Sequence, residues 1–104
     1  MISVNWTLRA QAALDAIYDY IHQDAPIYAA RFIQQIVDSA DRLEAFPLSG
    51  RVVPEAARED IREVIFQNYR IIYWLVTETR IDIITVIHGS RDLSNPENQP
   101  WDMH

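Results

Sequence analysis

Residues 61–88 hold three apolar stretches that are separated only by short polar turns. The stretches cover residues 61–67, 69–77 and 80–88, and the polar links between them are Asn68 and Glu78-Thr79. Short apolar runs rich in isoleucine, valine and tyrosine between turn residues are typical of β-strands. Because links this short join strands that run in opposite directions, this part of the chain predicts a three-stranded antiparallel sheet.

The first half of the chain predicts one strand followed by two helices. Residues 2–6 alternate between apolar and polar side chains, which is the period of a strand. Residues 8–23 and 27–46 carry apolar side chains at helical spacing, and Pro26 suits the first turn of the second helix. A short turn joins the helices, which favours an antiparallel hairpin. The order β-α-α-β-β-β therefore predicts an α+β fold: an N-terminal strand, an antiparallel two-helix hairpin and the three-stranded antiparallel sheet.

The length of 104 residues predicts a single domain. We place this domain at residues 1–94 and a polar C-terminal tail at residues 95–104. The tail is expected to be loose, although Trp101 offers one side chain that can dock. Gly50 is one of only two glycines and predicts a tight turn after the second helix.

Charge and residue content exclude several kinds of site. The chain has no cysteine, which removes disulfides and thiolate chemistry, and its nine cations are all arginines. The net charge of −6 disfavours direct binding to DNA without a partner. We see no signal peptide and no run near the ~20 apolar residues of a membrane helix. A soluble cytoplasmic protein without contact to a membrane is expected.

The predicted sheet is apolar on both of its faces. In residues 69–77, Tyr69, Ile71, Tyr73 and Leu75 share one face, and Arg70, Ile72, Trp74 and Val76 share the other. In the last strand, strict alternation places Ile81, Ile83 and Ile87 on one face and Ile84 and Val86 on the other. One helical hairpin covers one face only. Either sheet twist and the tail close the second face, or a partner protein covers it, and we favour a partner.

Three blocks of sequence resemble toxins of the ParE/RelE superfamily, and they are closer to ParE than to RelE. The blocks are LEAFPLSGRVVPE at residues 43–55, IREVIFQNYRIIY at residues 61–73 and VIHGSRDL at residues 86–93. The resemblance implies the toxin of a bacterial type II toxin–antitoxin system that has no cofactor and no metal. It also implies a cognate antitoxin whose C-terminal segment wraps the toxin, often adding a helix or a strand. A larger complex with the antitoxin is compatible with this reading.

Two mechanisms are known in the superfamily. ParE-type members block DNA gyrase by binding it, and RelE-type members cut messenger RNA on the ribosome. Arg70 and Arg91 fall where RelE-type enzymes keep functional arginines, and His88 is the remaining candidate base. The lysines that RelE-type enzymes use on the preceding strand are missing, and an acidic body suits the ribosome poorly. We therefore predict a gyrase inhibitor, with an mRNA endonuclease using Arg70, His88 and Arg91 as the alternative and a relative that only binds its antitoxin as a third possibility.

Six residues are predicted to contact the target, because arginine and tryptophan are common at interfaces. They are Arg62, Arg70, Trp74, His88, Arg91 and Trp101. Three of them have a structural alternative: Arg70 pairs with an acid such as Glu63, Arg91 pairs with Asp92, and His88 caps a strand end.

The sequence predicts no metal site. Glu55, Glu59, Asp60 and Glu63 form a run of carboxylates, but their spacing lacks histidine support and convergent geometry. We expect this run to be a solvated face.

Overall fold

A computed structural model describes residues 2–102 of the chain. Its helices are α1, Leu8–His22, and α2, Pro26–Asp41. Its strands are β1, Ser3–Trp6; β2, Arg51–Val52; β3, Ile61–Phe66; β4, Tyr69–Thr77; and β5, Arg80–His88. Short 3-10 turns occupy Arg42–Glu44, Pro96–Asn98 and Pro100–Asp102. The α+β fold class is confirmed, and helix α2 ends earlier than its apolar spacing suggested because the chain tightens into the turn at Arg42–Glu44.

Within residues 2–102, five strands form one mixed sheet in the order β1-β5-β4-β3-β2. The expected antiparallel strands β3, β4 and β5 are its centre. Strand β1 adds in parallel beside β5, from Ser3 opposite Arg80 to Trp6 opposite Ile83. The two residues of β2 pair with β3 in the antiparallel sense. The sheet is therefore wider than predicted, because the N-terminal strand and a short loop segment both join its edges.

Helix α1 begins directly after β1, and Thr7 is the residue between them. The Thr7 side chain accepts a hydrogen bond from the Ala10 N–H at 3.1 Å, which is the usual role of an N-cap threonine. The same hydroxyl donates to the Ile83 carbonyl at 2.8 Å, so the start of α1 is tied to β5. Pro26 opens α2 at the first turn, as predicted. No helix among residues 2–102 is long and apolar enough to span a membrane.

The main core lies between the helical hairpin and one face of the sheet. Its largest buried side chains include Phe32, Ile36, Ile71 and Tyr73. Gly50 closes this core at one end, where its N–H donates to the Tyr73 hydroxyl at 3.1 Å and that hydroxyl donates to the Pro47 carbonyl at 2.8 Å. Burial raises the pKa of Tyr73. The tight turn predicted at Gly50 is thus also a place where backbone and side chain pack without room for a Cβ atom.

The second face of the sheet is covered by this chain's own residues, so the expectation of a face left for a partner is wrong. Ile61, Ile72 and Ile84 on the strands pack with Val53, with Leu93 after β5 and with Trp101 of the tail. Trp101 is 2% exposed. A hydrogen bond ties the tail to the segment that precedes it, because the Gln99 side-chain amide donates to the Leu93 carbonyl at 2.9 Å. This fold-back gives the second face an apolar cover.

Strand β5 does not alternate strictly, which corrects the faces assigned to two residues. Its pairing with β4 shifts register between Ile72 and Tyr73, as at a β-bulge. Beyond the bulge, Val86 packs with the helices and Ile87 packs with the second core, the reverse of the prediction. An extra residue in a strand exchanges the two faces for every residue that follows it.

Candidate functional site

Four charged side chains form a cluster on the second face of the sheet: Arg51, Glu55, Glu63 and Arg70. We call this set the charged cluster. Glu63 accepts from Arg51 Nε at 2.7 Å through one carboxylate oxygen and from Arg70 Nε at 2.5 Å through the other. Arg70 also donates from both of its terminal nitrogens to Glu55, at 2.8 and 3.0 Å. The cluster joins β2, β3, β4 and the loop after β2 into one network.

The sheet register explains why these residues meet. Arg51 lies directly opposite Glu63 on the neighbouring strand, and Ile65 lies opposite Arg70. Glu63 is two residues before Ile65, so its side chain and that of Arg70 are diagonal neighbours on one face. The Glu63 side chain is fully buried, and the Arg70 side chain is 8% exposed. The structural alternative for Arg70, a pair with Glu63, is confirmed, and the expectation of a solvated face is wrong for Glu55 and Glu63.

The charges within the cluster balance. Hydrogen bonds to Glu55, and after them those to Glu63, raise the pKa of Arg70, so its guanidinium stays charged. The hydrogen bond from Arg70 is also the main cause that lowers the pKa of Glu55. Two carboxylates and two guanidiniums give no net charge. Arg70 therefore has little positive charge to offer an incoming phosphate.

A cavity of about 300 Å³ lies beside the charged cluster and reaches the end of β5. Arg70, Tyr69, His88 and Ser90 are among the residues that line it. Burial is the main cause that raises the pKa of Tyr69. The structure thus brings Arg70 and His88, two of the three residues of the endonuclease hypothesis, to one cavity.

His88 is held by its neighbours at the end of β5. Its Nδ1 atom accepts from the Ser90 N–H at 3.1 Å and lies 2.7 Å from the Ser90 hydroxyl. The ring packs edge-on against Tyr69, with centroids 5.4 Å apart. Because Nδ1 accepts a backbone N–H, the neutral ring carries its proton on Nε2. The structural alternative for His88 is confirmed, and the nitrogen that a general base would use is already bonded.

Arg62 and Trp74 stabilise the turn that leads into β3. Arg62 donates to the Gly50 carbonyl and to the Glu59 carbonyl, both at 3.0 Å. Trp74 donates from Nε1 to Asp60 at 3.1 Å. The hydrogen bond from Arg58 is the main cause that lowers the pKa of Asp60. Arg62 and Trp74 remain partly exposed, and their side-chain N–H groups form hydrogen bonds within the fold.

Arg91 and Trp101 have opposite environments. The Arg91 side chain is exposed and has no hydrogen-bond or ion-pair partner among residues 2–102. Asp92 instead accepts from the Ser94 N–H at 2.9 Å, so the expected Arg91–Asp92 pair is wrong. Trp101 is buried beneath the sheet, and in this conformation its indole contacts the second core and is closed to a target.

A groove of about 620 Å³ runs between α1, the end of β5 and the tail. We call it the edge groove. Its lining includes Ala12 and Ala16 of α1 and three charged side chains, Arg9, Arg91 and Glu97. Two features of the sequence indicate this groove: the small side chains at residues 12, 13 and 16, and a first strand much shorter than the last. Among residues 2–102, no group of three acidic or histidine side chains is placed to hold a metal ion.

Comparisons with known proteins agree with the fold and the sequence blocks. A family model for the ParE toxin of type II toxin–antitoxin systems (parDE) matches residues 4–93. The chain is 34% identical to toxin RelE2 of Caulobacter vibrioides over 88% of this chain and 99% of that protein. It is also 34% identical to Y4kP of Sinorhizobium fredii, over 83% of this chain and 86% of the relative.

A solved structure shows the same fold. A chain from the chromosomal ParDE TA system of P. aeruginosa superposes with a TM-score of 0.72 and 26% sequence identity. The match covers 85% of this chain and 96% of that chain. The protein described here belongs to the ParE/RelE superfamily and is a toxin of a type II toxin–antitoxin system.

Proposed function

We propose that the free toxin inhibits DNA gyrase by binding it, and that a cognate antitoxin neutralises the toxin by covering its surface. Gyrase is the target that the resemblance to ParE-type toxins implies. The observation that carries the choice of mechanism is the charged cluster. Arg70, the arginine that an RNA-cutting relative would place on a phosphate, is bonded to two carboxylates.

The chemistry of RNA cleavage requires a base for the 2′-hydroxyl and positive charge for the phosphorane. Arg70 shares its charge with Glu55 and Glu63, and the Nδ1 atom of His88 is bonded to Ser90. The chain also has no lysine and carries a net charge of −6. These features together favour a toxin that acts by contact.

The alternative function, cleavage of messenger RNA on the ribosome, is supported by one observation. Arg70 and His88 line the same cavity, and Arg91 follows His88 closely in the chain. Cleavage through this cavity would need Glu55 to release Arg70 and Ser90 to release His88. The two functions make opposite predictions in the same pair of assays.

The experiment uses the purified toxin after its antitoxin has been removed. One assay measures plasmid supercoiling by DNA gyrase, and the other measures cleavage of messenger RNA on programmed ribosomes. We expect supercoiling to fall as toxin is added and messenger RNA to remain intact. Cleaved messenger RNA with undiminished supercoiling would overturn the proposal.

Arg91 is the residue through which we test the target contact. Its side chain is exposed and unpaired within the described residues, so it is ready to bond an acidic group on the target. We expect Arg91→Ala to raise the toxin concentration for half-inhibition of gyrase by roughly tenfold, as for an interface arginine. Arg31→Ala, an exposed arginine on α2, is the matched control and should leave inhibition unchanged. Equal inhibition by both variants would remove Arg91 from the contact surface.

A further inference from the structure

A groove of about 580 Å³ lies at the outer edge of the sheet, where the turn after α2 passes beside β3. We call it the β3 groove. Phe46 lines it from the turn and Ile65 lines it from β3, and these large apolar side chains are 65% and 51% exposed. A single exposed apolar residue is ordinary in a soluble protein, but two in one groove indicate a surface that another molecule covers.

The fold explains why Phe46 and Ile65 stay exposed. Strand β2 pairs with only two residues of β3, and Ile65 lies beyond them, so none of residues 2–102 forms a strand beside it on that side. Phe46 follows the 3-10 turn after α2. Its N–H donates to the Arg42 carbonyl and its carbonyl accepts from the Ser49 N–H, both at 3.0 Å. These bonds fix the backbone, so the groove is formed before a partner binds and little ordering is required of it.

The exposed charges of the β3 groove are positive. The Arg42 side chain is exposed and has no hydrogen-bond or ion-pair partner among residues 2–102. Arg51 bonds to Glu63 through Nε, and 62% of its side chain remains exposed. Glu63 is the only acid among the described residues that line the groove, and its side chain is fully buried; Asp41 and Glu44 lie near Arg42 in the chain but outside the lining. On a protein with a net charge of −6, such a groove selects a partner with acidic groups.

The composition of the β3 groove favours a protein partner over a nucleic acid. Aromatic residues and arginine are enriched in the central part of protein–protein interfaces, whereas exposed acids are depleted there. Nucleic-acid grooves instead combine stacking rings with a positively charged path for the backbone, and the acidic body of this protein repels phosphates. The groove therefore suits a protein segment with an apolar side chain for Phe46 and Ile65 and a carboxylate for Arg42 or Arg51.

The β3 groove is continuous with the surface that we assign to target contact. Arg51 and Ile65 also line the cavity beside the charged cluster, and that cavity reaches His88 at the end of β5. Arg91 follows shortly after His88 in the chain. A partner that contacts Arg91 can thus extend along one surface into the β3 groove.

We propose that the β3 groove is a docking site for the target protein. An apolar side chain of the target packs against Phe46 and Ile65, and an acidic group of the same segment pairs with Arg42 or Arg51. This inference rests on the proposed function, because it takes DNA gyrase as the target. It adds an apolar anchor to a contact that would otherwise depend on Arg91.

A paired substitution tests the apolar anchor. Phe46→Ala with Ile65→Thr removes both exposed apolar side chains and keeps a residue that suits a strand at position 65. We expect the concentration of antitoxin-free toxin that half-inhibits gyrase supercoiling to rise by roughly tenfold or more. Leu8→Ala with Ile27→Thr removes two exposed apolar side chains from the helices and is the matched control, which should inhibit as wild type does. Thermal unfolding of both variants should resemble that of wild type, because all four side chains are exposed.

A charge reversal tests the acidic group of the target. Arg42→Glu changes a side chain that has no partner among the described residues, so the fold should persist. We expect it to weaken inhibition by roughly tenfold at low salt, and by less at high salt because salt screens exposed charges. Arg31→Glu, at an exposed position of α2, is the control. Equal inhibition by the two variants at low salt would overturn the charge complementarity on which the docking site rests.

The same assays separate failure of the docking site from failure of the proposed function. If wild type inhibits gyrase and the Phe46–Ile65 variant is equally potent, the docking site alone is overturned. If wild type does not inhibit gyrase, the proposed function is overturned and the docking site with it. Two further results would assign the groove to another occupant and overturn the inference. One is binding of a single-stranded DNA oligonucleotide, and the other is dimerisation in ultracentrifugation, if wild type shows it and the Phe46–Ile65 variant does not.

Discussion

Glu63 is the residue on which the charged cluster depends. Its side chain is fully buried, and each of its oxygens accepts from a different arginine. A buried carboxylate is tolerated only when its charge and its hydrogen-bonding capacity are both satisfied. Glu63 meets that condition by pairing with Arg51 and Arg70. Arg70 in turn pairs with Glu55 and so fixes the position of the loop after β2.

Removing the charge of Glu63 should destabilise the fold. Glu63→Gln leaves Arg70 buried with one fewer carboxylate, and breaking a buried ion pair from one side costs about 3 kcal/mol. The free energy of unfolding, measured in urea, is expected to fall by that amount. Glu59→Gln, at an exposed position, should change it very little. Similar values for the two variants would mean that the cluster contributes nothing to stability.

The stability of the protein should depend on pH through Glu55. Arg70 lowers the pKa of Glu55 below its ordinary value of 4.5, so the folded state binds its proton less readily than the unfolded state. The stabilisation is present above the unfolded pKa and is lost as pH falls through the folded pKa. Between about pH 5 and pH 3, wild type should lose more unfolding free energy than Glu55→Gln. Parallel curves would contradict the pairing of Glu55 with Arg70.

Gly50 is required because there is no space for a side chain. A Cβ atom at this position would lie 2.5 Å from the Tyr73 hydroxyl and 2.6 Å from the Glu63 carbonyl. We expect Gly50→Ala to lower the free energy of unfolding by about 1–3 kcal/mol. Gly89→Ala, whose Cβ would lie 3.2 Å from the Asn68 carbonyl, should cost less. Thermal unfolding of the two variants is the measurement. A larger loss of stability in Gly50→Ala than in Gly89→Ala indicates that crowding at Gly50 is the cause of the destabilisation.

At the scale of elements, periodicity predicted the helices and the three long strands but missed interactions that depend on distant residues. The bulge in β5 exchanges the faces of Val86 and Ile87, and a single strand carries no local signal for it. The pairing of β1 with β5 joins residues that are 77 apart, as Asn5 and Asp82 are. The docking of Trp101 likewise depends on apolar surface formed by β3, β4 and β5.

Candidate site residues were harder to predict than elements for the same reason. The sequence predicts a functional role for Arg70 and, as the alternative, its pairing with Glu63. Glu55 also bonds to Arg70 because the loop after β2 brings it close. The path of this loop cannot be predicted from the spacing of residues in the sequence. The Arg91 side chain has no ion-pair partner within residues 2–102 because the neighbouring Asp92 bonds to Ser94 and not to Arg91.

The tail should contribute to the stability of the whole fold. Trp101 is buried in the second core together with Ile61, Ile72 and Ile84, so Trp101→Ala leaves a large apolar cavity. We expect a loss of about 3 kcal/mol in the free energy of unfolding. Asp102→Asn, next to it on an exposed position, should have a small effect. A tail that is loose in solution would give the two variants the same stability as wild type.

At the scale of the whole molecule, the buried charges Glu63, Arg70 and Asp82 are all paired. Four charged residues balance within the second face, and Arg91 stays exposed after the end of β5. An acidic protein with such a surface is suited to contact with other proteins more than with nucleic acid. The proposed mechanism follows: the toxin acts by occupying its target, and the antitoxin acts by occupying the toxin.

Inhibition by binding and inhibition by catalysis differ in stoichiometry. A toxin that binds gyrase needs roughly one molecule for each target site, whereas an endonuclease turns over. The most direct measurement is therefore a titration of DNA gyrase with antitoxin-free toxin, followed by plasmid supercoiling. The account predicts that supercoiling falls to a plateau near equimolar toxin and returns when antitoxin is added. Full supercoiling at a large excess of toxin, with messenger RNA cut at a small fraction of the ribosome concentration, would contradict it.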